Sequence, residues 1–164
     1  MWEKEYMRVV KLTSKDFDKD NKYIGKEDFT SYEGADCSVE IEANLGWVCF
    51  VALRVKGYIQ ALAGSGIKAG EGIEAGSGIK AGWGIEAGWG IKCKLALKFG
   101  YKLFAGTAVW TDNADKTVEC GKLEGGTVAY GDVKELGMPK EKQSLSGKTV
   151  KVELDGQVYE ATIK

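Results

Sequence analysis

Residues 64–92 repeat the unit Ala-Gly-x-Gly-Ile-x, with isoleucine at positions 67, 73, 79, 85 and 91. Two residues after each isoleucine stands Ala69, Ala75, Ala81, Ala87 or Cys93. A strict period of six fits neither a helix of about 3.6 residues per turn nor one long strand. It fits a β-solenoid, in which each unit is a short strand followed by a corner. A sharp turn at every sixth residue asks for backbone conformations that side chains resist and glycine supplies.

The period continues beyond the clean array. Taking "apolar, x, small or apolar" as the unit, Ile41-Glu42-Ala43, Trp47-Val48-Cys49, Leu53-Arg54-Val55 and Ile59-Gln60-Ala61 precede it. Leu97-Lys98-Phe99, Leu103-Phe104-Ala105 and Val109-Trp110-Thr111 follow it. The spacing is six throughout except eight between Ile59 and Ile67, where Leu62 to Gly66 makes a corner able to bulge. Twelve triplets thus span residues 41–111. Strand alternation points the first and third residue of each triplet inward and the middle one to water.

The middle residues Lys68, Glu74, Lys80, Glu86 and Lys92 alternate in sign. Two triplets per turn would stack Lys68 on Lys80 and Glu74 on Glu86 at about 5 Å, which is unfavourable. Three per turn stack Lys68 on Glu86, Glu74 on Lys92 and Arg54 beside Glu74, with Lys80 over Lys98 the one opposed pair. The pattern predicts an all-β fold: a short three-sided parallel β-helix with 18 residues per turn. Twelve triplets make about four turns, a prism roughly 20 Å tall.

Residues 41–111 resemble the hexapeptide-repeat β-solenoids, whose best-known members form left-handed parallel β-helices. In that family the slot four positions after the aliphatic residue is usually small. Here it holds Glu71, Ser77, Trp83, Trp89 and Leu95, which leaves handedness open. The resemblance also implies, for many members, acyltransferase activity through a catalytic histidine. This chain has no histidine, so that activity passes to none of its residues. The Ala-Gly-x-Gly-Ile arrays are further similar to uncharacterised proteins of gut bacteria and their phages. That similarity implies a phage-encoded inhibitor of a bacterial defence effector, of the anti-CRISPR kind, acting on a nucleoprotein complex in the host cytoplasm.

Lysine and arginine total 23 against 24 acidic residues, a net charge of −1. No global basic field exists to draw the chain onto nucleic acid or an anionic membrane. The chain opens with the charges of Glu3, Lys4 and Glu5, and its longest apolar stretch, Trp47 to Leu53, is strand-sized. Neither a secretory signal nor a membrane span is expected, and a cytoplasmic location follows. Cys37, Cys49, Cys93 and Cys120 are scattered without a C-x-x-C spacing. They read as buried free thiols, not a zinc site.

The flanks, residues 1–40 and 112–164, read as N- and C-terminal caps, because an open solenoid end exposes unpaired strand edges. Met7 to Leu12 predicts a strand, Asp28 to Glu33 a loop or one helical turn, and Thr117–Cys120 and Gly126–Gly131 short strands. Asp155-Gly156 between two alternating runs predicts a hairpin over residues 148–163.

Candidate sites are few. Asp16, Asp18 and Asp20 with Glu27 mimic a calcium loop, with Asn21 where glycine is usual. No flanking helix supports it, so a solvated charged turn is the reading, with no metal and no cofactor. Gly147-Lys148-Thr149 lacks the earlier glycine of a phosphate loop, since position 142 is lysine. Trp83 and Tyr101 should stack at one corner, with Trp89 at the adjacent corner; Glu71, Lys68 and Glu86 are the charged residues expected to bind a partner with them. An aromatic cluster rimmed by charge is a partner-binding signature, and the equal alternative is packing against the flanking caps or another subunit. Phe104 and Trp110, as outward middle residues, should meet a cap or a second copy. The expected function is therefore a non-catalytic protein-binding module. A structural or oligomerising solenoid is the alternative, and an enzyme using Asp16, Asp18 or Glu27 a third.

Overall fold

A computed structural model describes residues 7–138 and 149–162. The strands are β1 (Val9–Leu12), β2 (Ser38–Ile41), β3 (Gly46–Phe50), β4 (Leu53–Val55), β5 (Ile59–Ala61) and β6 (Ser65–Ala69). Next come β7 (Ile73–Ala75), β8 (Ile79–Ala81), β9 (Ile85–Ala87), β10 (Ile91–Cys93), β11 (Ala96–Phe99) and β12 (Lys102–Ala105). The last are β13 (Thr117–Cys120), β14 (Lys122–Glu124), β15 (Thr127–Tyr130), β16 (Asp132–Glu135), β17 (Thr149–Leu154) and β18 (Gln157–Thr162).

Successive strands fall on three faces of a parallel β-helix. The first face has the order β1-β2-β5-β8-β11-β14, the second β15-β12-β9-β6-β3, and the third β16-β13-β10-β7-β4. The register stacks the charges as three triplets per turn require. Lys68 lies opposite Glu86, Glu74 opposite both Arg54 and Lys92, and Lys80 opposite Lys98. The inward columns are apolar: Ile67, Ile73, Ile85, Ile91, Leu97 and Leu103 are fully buried. Burying an aliphatic side chain of this size contributes about 1.5–3 kcal/mol, so the stacked isoleucines hold the prism together.

The glycine corners work differently from expectation. None of the glycines at 70, 72, 76, 78, 82, 84, 88 or 90 has a positive φ. At Gly76, Gly82, Gly84 and Gly88 it is close approach between turns that requires glycine, whereas Gly70 has room for a Cβ. A Cβ at Gly82 would lie 2.5 Å from the Leu62 carbonyl oxygen in the turn below, and one at Gly84 2.8 Å from that of Lys102 in the turn above. The Gly82-x-Gly84 pair thus lets its corner nest between two others. The left-handed conformation is used at Gly64 (φ +77°), in the corner lengthened by two residues.

Two expected triplets are out of phase. The strand residues are Val39-Glu40-Ile41, facing Ile59-Gln60-Ala61, and Val48-Cys49-Phe50, facing Ile67-Lys68-Ala69. Asn44 (φ 62°) and Gly46 (φ 71°) take up the slack in the corner between them, and Trp47 lies outside. Val109-Trp110-Thr111 is not a strand. Gly106 (φ +79°) turns the chain out into a loop, and Val118-Glu119 takes the place opposite Ile91-Lys92.

The stack also continues past residues 41–111 on both sides, to β1 and to β16, making about five turns. Between β1 and β2, residues 13–37 follow a wide path that touches the ladder at the bridges Lys22–Cys49 and Ala35–Val55. Phe17, Tyr23 and Phe29 from this segment pack with Phe50, ring centroids 5.2–6.1 Å apart, and seal that end of the core. Asp28 to Glu33 is loop. Asp155 (φ 51°) and Gly156 (φ 77°) make the two-residue turn of the β17–β18 hairpin.

Candidate functional site

All six of the expected partner-binding residues border the second face. Its outward column runs Cys49, Lys68, Glu86, Phe104 and Tyr130, one residue per turn. Lys68 and Glu86 form an ion pair at 3.3 Å. Phe104 is half-buried there, while Trp110 sits on the loop and not in the column.

The corner leading into this face carries the aromatics. The Trp83 amide donates to the Ser65 carbonyl and the Tyr101 amide to that of Trp83, both near 3 Å, which sets one tip above the other. The rings of Trp83 and Tyr101 stand 6.4 Å apart, tilted by 32°. Trp47 extends the stack, 5.5 Å from Trp83, with its indole lying against Gly66 and Gly84. Only glycine leaves a floor flat enough for that ring. Lys102 reaches over Tyr101 at 5.4 Å, and exposed Leu62 belongs to the same corner.

The corner leading out of the face is a groove of about 580 Å³. Its walls are Tyr23, Phe50, Val51, Glu71, Lys22 and Trp110, the last brought round by the 106–116 loop. The Trp89 amide donates to the Glu71 carbonyl, and Trp89 is half-buried. Glu71 also turns toward the third face, where its carboxylate accepts from Arg54 at 3.2 Å. Arg54 is only 2% exposed. It donates to the Thr30 carbonyl at 2.7 Å and lies 4.3 Å under the ring of Tyr32. Glu71 therefore serves the fold as well as the rim of the groove.

The third face offers a second cavity of about 470 Å³, bordered by Arg54, Glu74, Lys92 and Glu119. Its charges alternate and neutralise one another along the ladder. It offers less apolar area than the groove beside the second face.

The acidic motif of the N-terminal segment disperses. Asp16 accepts from the Thr13 amide, Asp18 from the amides of Asp20 and Lys22, and Glu27 holds Arg8 through two hydrogen bonds of 2.7 Å. Arg8 draws the Glu27 carboxyl below its usual range. Asn21 adopts φ 58°, but the carboxylates do not converge. Among the described residues, no three His, Cys, Asp or Glu side chains are grouped to hold a metal ion. Gly147-Lys148 lies outside the described residues.

The four cysteines are free; Cys37, Cys93 and Cys120 are buried and Cys49 is half-buried. Burial pushes the Cys93 thiol up to about 12. Among the described residues, no helix is long and apolar enough to cross a membrane.

Fold and surface together define a short three-sided parallel β-helix with one aromatic-rich face. No family model matches the chain, and no curated protein and no solved structure matches it either.

Proposed function

We propose that the chain is a non-catalytic protein-binding module whose second face is the docking surface. The observation that carries this is convergence. Val51, Leu62, Trp83, Tyr101, Trp110 and Tyr130, all exposed and large, come from five turns and a loop onto this face and its corners. Aromatic anchors set among charges are what binding hot spots are made of. The prism holds them rigidly, so little side-chain order is lost on docking. The Ala-Gly-x-Gly-Ile resemblance supports a finer reading, inhibition of a bacterial nuclease-bearing defence complex.

The test is position-specific. A photo-crosslinking residue introduced at position 83 should trap one defined protein in cells, and one introduced at position 80, on the first face, should not. Trp83→Ala combined with Tyr101→Ala should then weaken binding of that protein more than about tenfold. Circular dichroism should be unchanged. Equal trapping from both positions, or unaltered binding by the double variant, overturns the assignment. Addition of wild-type chain to the same protein purified untrapped, with loss of its nuclease activity, is the readout for the finer reading.

A further inference from the structure

The two ends of the prism differ. Phe17, Tyr23 and Phe29 seal one. The other ends in the turn β14-β15-β16, whose inward residues are Leu123, Val128 and Val133. Val133 is 40% exposed although it stacks on fully buried Val118. Among the described residues no strand pairs with the outer edge of β16. We propose that this edge pairs with the same edge of a second copy, antiparallel about a two-fold axis through Val133.

Three independent features select that register. The first is hydrogen-bond polarity. Asp132 donates its amide to Lys116 and Leu136 to Cys120, so the amides of 132, 134 and 136 face β13. In a parallel ladder, alternate residues face opposite sides. The amide and carbonyl of Val133 therefore point outward, as do those of Glu135. Two copies centred on Val133 exchange both Val133 bonds, the close pair of an antiparallel ladder.

The second is side-chain direction. Residues opposite one another in an antiparallel pair share a face of the sheet. Val133 against Val133 keeps interior against interior and covers the exposed last layer of the core. A slip of one residue would place Lys134 over the core instead.

The third is charge. In this register Asp132 of each copy stands opposite Lys134 of the other, so two attractive pairs form at once. Asp132 already lies 3.8 Å from Lys116 of its own chain. It would then sit between two cations. Its side chain is well exposed and free to take the second.

The test is the mass of the full chain in solution, by light scattering after size exclusion, with two charge reversals. Wild type should weigh twice 17.8 kDa at about 100 µM. Lys134→Glu sets two carboxylate pairs in opposition, and Asp132→Lys two ammonium pairs. Each variant alone should weigh clearly less than the dimer at that concentration, its dimerisation weakened about tenfold or more. Mixed in equal amounts they should form a heterodimer, because each repulsive pair becomes attractive. Val133→Pro removes the outward amide and none that β13 uses, and should also give monomer with the circular dichroism of wild type. A wild type that stays monomeric at that concentration overturns the proposal. So do single reversals that dimerise as wild type does, or a mixture that does not recombine.

Discussion

Cys93 shows how a single interior position reports on the prism. Its thiol lies inside the third face beside Cys120, and burial lifts it from the ordinary thiol range to about 12. The unfolded chain releases that proton from about pH 8.5 upward, and the native state holds it. The native state thus binds more protons over that interval, so stability is full below about pH 8.5 and falls as pH rises toward the native value. Urea unfolding from pH 7 to pH 10.5 should show this decline. Cys93→Ala should flatten it, after allowing for the other cysteines raised in the same direction. An unchanged slope in the variant would mean that Cys93 is not the group responsible. Native alkylation read by mass spectrometry gives a second view. Half-buried Cys49, on the outward column of the second face, should be modified first, and Cys93 and Cys120 only on unfolding.

At the scale of strands and corners, the glycines separate into two kinds. A Cβ at Gly88 would collide with the Gly70 carbonyl of the turn below, whereas one at Gly70 meets nothing nearer than the Val51 carbonyl at 3.5 Å. Gly88→Ala should therefore force a corner apart and cost about 1–3 kcal/mol. Gly70→Ala has room and an ordinary φ, and should be neutral or stabilise by about 0.4–1 kcal/mol through the unfolded chain. Denaturant midpoints of the two variants check this, and equal losses would show that conformational freedom, not close approach, selects glycine here. The same contrast explains what could be read from the residues alone. Inside the clean array, period and alternating charge settle register and the number of sides, and the 18-residue spacing from Trp83 to Tyr101 foretells their stack. At 41–49 the cue fails because Trp47 looks like an inward apolar residue. The true inward residue is Val48, one step on, with Asn44 and Gly46 absorbing the shift. The contribution of Val51, Leu62 and Trp110 to the second face is out of reach for the same reason. Val51 and Leu62 lie in corners outside the strand triplets, and the six-residue rule places Trp110 in a strand, whereas Gly106 turns it out into a loop.

Over the whole molecule, each turn contacts only its neighbours, so stability is a sum of turn and interface terms along one axis. That sum is uneven. The middle turns are sandwiched between others and lined by fully buried isoleucines, while β15 and β16 are largely exposed. In the last turn Leu123, Val128 and Val133 recur at five residues, not six, and have no layer beyond them among the described residues. Opening free energies should therefore grade along the axis, lowest in the final turn. Hydrogen exchange on dilute protein, where self-association is minimal, should release amides of residues 122–138 first and those of 59–105 last. Within β16 the pattern should alternate, with Asp132 and Lys134 slower than Val133 and Glu135, because only the first two donate to β13. Phe29→Ala should give the opposite end the same softness. It removes a buried ring packed on Tyr23 and Phe50, freeing residues 13–37 while exchange in the middle turns stays slow. Exchange of every segment in one concerted step, unmoved by that substitution, would mean that the turns open as a single unit and that the sealed end contributes nothing of its own.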